Sequence, residues 1–103
     1  MDIINARLGD VVRIGITPTP IRVTDPTGAL VDPMAITISF LQPDGMQTDP
    51  VTPDRDASGE YHYDYDPPVT SAMAGMHYWR IVTSGPDAEL EGRIYYSPSR
   101  FVP

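Results

Sequence analysis

The chain has 103 residues, 41 % of them hydrophobic and 20 % charged, which suits one folded domain burying about 65 % of its unfolded surface. Seven arginines, no lysine and 14 acids give a net charge of −7, which argues against unassisted nucleic-acid binding, because phosphate contacts need clustered cations. Cysteine is absent, which excludes disulfides, thiol nucleophiles and thiolate zinc sites.

The amino terminus, Met1-Asp2-Ile3-Ile4-Asn5-Ala6-Arg7, has an acid at its second position and no apolar run, so it reads as neither a signal peptide nor a membrane span. Synthesis and retention in the cytoplasm is the expectation, with secretion by a signal-independent route, or as part of a larger particle, the alternative. Twelve prolines and eight glycines cut the chain into short pieces, and a proline inside a helix costs about 3 kcal/mol. The pieces alternate with period two, as strands do. Val12, Ile14 and Ile16 share one face, and Ile21-Arg22-Val23 leads to Asp25-Pro26-Thr27-Gly28, a type I turn by composition. Ile36, Ile38 and Phe40 alternate with Thr37, Ser39 and Leu41; a turn at Pro43-Asp44-Gly45 returns Met46–Thr48 as a hairpin.

From Pro50 to Gly59 the chain reads as a loop anchored by Val51. Glu60 to Asp66 then alternates Tyr61, Tyr63 and Tyr65 with polar residues, a core-facing tyrosine stripe with His62 turned to solvent. Val69 to Gly75 suits one helical turn. His77, Trp79 and Ile81 mark a strong strand, with His77 hydrogen-bonded at an edge or partly buried. Leu90 to Tyr96 is the last, with Ile94 and Tyr96 inward and Tyr95 the exposed aromatic. Seven strands, with room for an eighth, predict an all-β fold: an Ig-like antiparallel β-sandwich over 1–103, with 1–8 and 97–103 as terminal arms. Asp56-Ala57-Ser58-Gly59-Glu60-Tyr61 resembles the tyrosine corner of immunoglobulin-type domains.

Asp54-Arg55-Asp56-Ala57-Ser58-Gly59 copies the start of an EF-hand loop, but the twelfth position is Tyr65 where a bidentate glutamate belongs. A looser calcium site from Asp54, Asp56 and Asp64 or Asp66 is the weaker reading beside a polar turn whose aspartate caps backbone amides. A His–acid pair such as His62 with Asp64 could act as a base, but Ser84, Ser97 and Ser99 lack nucleophile-elbow context, so no enzyme and no cofactor are expected. The tyrosines and Trp79 also suit a sugar-stacking platform, centred on Tyr95. Arg100, Phe101 and Val102, on a proline-stiffened tail, are expected to dock on a neighbouring subunit or on their own core.

Leu8-Gly9-Asp10-Val11-Val12, Asp25-Pro26-Thr27-Gly28-Ala29-Leu30-Val31-Asp32-Pro33, Ile36-Thr37-Ile38, Pro43-Asp44-Gly45, Ser58-Gly59-Glu60-Tyr61, Gly75-Met76-His77-Tyr78-Trp79-Arg80, Ser84-Gly85-Pro86 and Glu91-Gly92 together span most of the chain. This succession resembles the small Ig-like β-sandwich proteins encoded among the structural genes of tailed bacteriophages; related patterns occur in bacterial adhesin modules. The resemblance implies a virion component, on the capsid surface or at the head-to-tail connection, made in the host cytoplasm. Its partners would be other virion proteins such as the major capsid protein, with self-association possible and with no nucleic acid, membrane or cofactor. A carbohydrate- or calcium-binding adhesin-type module is the alternative. Function carried from fold is analogy.

Overall fold

Alternating burial builds each layer of the computed structural model, which describes residues 3–15 and 21–98. The strands are β1 (Ile3–Arg7), β2 (Val12–Ile14), β3 (Ile21–Arg22), β4 (Ala35–Leu41), β5 (Asp54–Ala57), β6 (Glu60–Tyr65), β7 (Gly75–Ser84) and β8 (Ala88–Ser97). Ile36, Ile38 and Phe40 of β4, His77, Trp79 and Ile81 of β7, and Ile94 and Tyr96 of β8 point inward, with polar or exposed neighbours between them. They form the inner face of a four-stranded sheet in the order β1-β8-β7-β4. In the second sheet β6 is the hub, pairing with β2, β3 and β5. All pairs are antiparallel except β1 with β8.

The two inner faces meet through aromatic rings. Phe40 of β4 stacks on Tyr65 of β6 at 3.7 Å between centroids, and Tyr65 stands edge-on to His77 and Tyr96 at 5.5 and 6.2 Å. The fold is therefore all-β, two mostly antiparallel sheets packed as a sandwich.

Local turn chemistry is as expected. Gly28 N–H donates to the Asp25 carbonyl, and Asp25 Oδ1 accepts from the amides of Thr27 and Ala29. After the turn at Pro43–Gly45, Thr48 N–H donates to the Phe40 carbonyl and Ile38 exchanges both backbone bonds with Val51, so residues 42–51 cover the free edge of β4 from Ile38 to Leu41. One turn of 3₁₀ helix, Ser71–Met73, falls within 69–75.

Three expectations need correction. Segment 1–8 is not an arm: Ile3–Arg7 is β1, because its backbone bonds to β8 while Ile4 and Ala6 pack against the core. Segment 50–59 is not all loop: Asp54–Ala57 pairs with β6 through a bulge between Arg55 and Ala57. Nor is Tyr61 a tyrosine corner. It lies near the start of β6, and its hydroxyl donates to the Asp32 carboxylate at 3.3 Å rather than to backbone a few residues upstream, as a corner requires. Ile16 and residues 99–103 lie outside the described residues.

His77 is fully buried. Its Nε2 lies 2.7 Å from the Met73 carbonyl, which can only accept, so Nε2 carries the proton and Nδ1 accepts from the Tyr65 hydroxyl at 2.8 Å. Burial holds the imidazole below its ordinary value of 6.5, against the opposing pull of the Met73 carbonyl and Asp44. The unfolded chain therefore takes up this proton first as pH falls. The contribution of neutral His77 to stability is complete above 6.5 and is lost as pH drops through the lower folded value. We expect the His77 ring resonance to titrate with a midpoint under 6.5 and the melting temperature to fall over the same interval. A midpoint at or above 6.5 would contradict the burial argument.

Candidate functional site

The outward side chains of the four-stranded sheet include several exposed apolar and aromatic residues, Ile3, Leu41, Tyr78 and Tyr95 among them. Strand register sets their alignment: Leu41 lies opposite Tyr78, Tyr78 opposite Arg93, and Arg93 opposite Ile3. One row thus crosses all four strands. Leu41, Tyr78 and Ile3 remain 44 %, 47 % and 39 % exposed, too much for residues serving only a core. The next row carries Met76, Tyr95 and Asn5, with Tyr95 also exposed, as its alternation with Ile94 and Tyr96 requires. On the other side, Arg80 binds Glu89 and lies 4.0 Å from Glu91. Arg93 has no carboxylate partner among the described residues.

Tyr78 stands between two shallow hollows. One of about 340 Å³, between β4 and β7, is lined by Leu41, Gln47, Tyr78, Arg80 and Glu91. The other, about 300 Å³, lies between Tyr78 and Arg93. Aromatic rings and arginine guanidinium groups are enriched at protein–protein contacts and carry much of their energy. Isolated apolar residues on loops, such as Met34 and Met46, need no such reading.

The candidate calcium ligands do not converge. Asp64 forms a two-point pair with Arg13, at 2.7 and 3.0 Å, which holds its carboxyl below the usual range. Asp56 and Asp54 lie on either side of the His62 ring, 2.7 Å from Nδ1 and 3.6 Å from Nε2. His62 is thus on the outer side as expected, but it is covered by these two aspartates and does not pair with Asp64. No group of three metal-capable side chains occurs among the described residues. Arg100, Phe101 and Val102 lie outside them.

A residue that sequence reasoning did not single out is Asp32. It accepts from Arg55 Nε and Nη2, both at 3.0 Å, from Gly59 N–H at 3.0 Å and from the Tyr61 hydroxyl. The Arg55 bonds, then the Gly59 amide, lower its carboxyl to about 2. It ties the segment ahead of β4 to the β5–β6 turn, a structural task. Comparisons with family models, curated proteins and solved structures found no match to this chain.

Proposed function

We propose that this chain is a non-enzymatic structural protein of a tailed-phage virion, a capsid-associated decoration or accessory protein that binds other virion proteins through the outer face of its four-stranded sheet. The observation that carries the docking role is the row Leu41–Tyr78–Arg93–Ile3, apolar, aromatic and cationic on a chain of net charge −7. The particle itself comes from the resemblance of the turn and core motifs. Peptide mass spectrometry of purified particles from the source culture tests it. Copy numbers comparable with the major capsid protein support a shell decoration; a few copies per particle move the protein to the head–tail connection; absence from clean particles overturns the reading.

Tyr78→Glu places a charge in the centre of the row while leaving the core untouched. We expect a melting curve within about 0.5 kcal/mol of wild type, the usual range for surface substitutions, and loss of incorporation into particles. Full incorporation would remove this face from the reading. The exposure of Tyr78 and Tyr95 on neighbouring strands of one face favours a second reading, stacking on a sugar. Glycan-array binding abolished by Tyr95→Ala would establish that alternative.

A further inference from the structure

The edges of the two sheets are not treated alike. Residues 42–51 cover β4 from Ile38 to Leu41. On the second sheet, β5 carries Asp54, Asp56 and a bulge, devices that discourage strand addition. Strand β1 has neither acid nor proline, and among the described residues it pairs only with β8.

The direction of its backbone groups follows from the hydrogen bonds around it. Leu8 N–H donates to the Ser97 carbonyl, and the Ser97 hydroxyl donates to the Ala6 carbonyl, so the even-numbered residues turn their backbone toward β8. Ile3, Asn5 and Arg7 therefore turn theirs to the free edge. Arg7 is already committed: its N–H donates to Asp10 Oδ2 and its carbonyl accepts from Asp10 N–H, both at 2.9 Å. Among the described residues, Ile3 and Asn5 are left with unpaired donors and acceptors along the edge.

We propose that two copies of this chain join antiparallel through β1, merging their four-stranded sheets into one continuous sheet. The spacing of the free groups selects the register. With Ile4 opposite Ile4 of the second copy, Ile3 and Asn5 become hydrogen-bonded partners in both directions, and every free group of the two residues is satisfied. Moving the centre to Asn5 would set Ile3 against Arg7, whose backbone is already taken by Asp10. The chosen register also brings the two Ile4 side chains together at the two-fold axis, on the core side of the sheet, and sets no like charges opposite one another within Ile3–Asn5. The contact is isologous, as closed dimers require. It uses backbone groups and is independent of the docking face.

Sedimentation of the full chain over a concentration series tests the proposal. A monomer–dimer equilibrium is expected, with amide exchange at Ile3 and Asn5 slowing as concentration rises. Asn5→Pro removes a donor on the free side, a position where an edge strand tolerates proline, and should weaken dimerisation at least tenfold. Tyr78→Glu should leave the dimer intact. A monomer at every concentration overturns the proposal, as does exchange at Ile3 and Asn5 that ignores concentration, since that readout needs no variant. A dimer abolished by Tyr78→Glu would overturn it too, by assigning the contact to the sheet face.

Discussion

Gly92→Ala will cost about 3 kcal/mol of stability, at the upper end of overpacking effects, although it adds a single methyl group. Gly92 lies opposite Trp79 in the β7–β8 register, and the indole lies across the glycine. A Cβ at position 92 would stand 2.1 Å from Cζ2 and 2.2 Å from Cε2 of that ring. Carbon atoms pack at about 3.5–4.0 Å, so one of the two must move. Trp79 is 1 % exposed and held among core residues, which leaves a rigid bicyclic ring little room to swing aside. Chemical denaturation of the variant measures the loss. Trp79→Leu in the Gly92→Ala background should cost less than the sum of the single changes, because the smaller side chain removes the clash that couples them. A loss under about 0.5 kcal/mol for Gly92→Ala would mean the indole can repack freely.

Tyr61→Ala should cost about 3–5 kcal/mol, the range for deleting a buried aromatic ring, whereas Tyr61→Phe should cost no more than about 1.5 kcal/mol. The contrast separates the two parts of the side chain. The ring is buried in the core of the sandwich, and its loss leaves a cavity between strands. The hydroxyl makes one long bond to Asp32, whose carboxylate keeps its partners in Arg55 and the Gly59 amide when that bond is gone. Urea melts of both variants measure the difference. Equal losses would mean that the hydroxyl, and not the ring, holds the start of β6.

What can be read from the residues alone depends on the range of the interactions. The turn at Asp25–Gly28 and the hairpin after Phe40 are set by neighbours a few positions apart, and both are legible. So are the inward faces of β4, β7 and β8, because Ile36, Trp79 and Ile94 repeat with strand period beside polar residues. Strand β5 is not, since all four of its side chains are exposed and only backbone pairing to β6 defines it. Strand β1 is hidden by Ile3, apolar yet outward, and by the small inward Ala6, which blur the alternation of a five-residue segment. Tyr61 is legible as a core residue, but its partner lies 29 residues earlier in a different loop. Within the candidate site, Tyr95 is legible from alternation. Its continuity with Tyr78, Leu41 and Ile3 depends on three strand registers, which no local pattern encodes.

The cover that residues 42–51 place over β4 also fixes how large an assembly of this chain can become by lateral growth of that sheet. A sheet with two bare margins is a monomer unit for a ribbon, adding copies at both ends without limit. Here the chain itself occupies one margin at Ile38 and Phe40, so in the proposed pairing of two β1 strands the merged sheet would end in a partly covered β4 on both sides. On the pairing proposed above, lateral growth of this sheet would end at two copies instead of running on into a fibre.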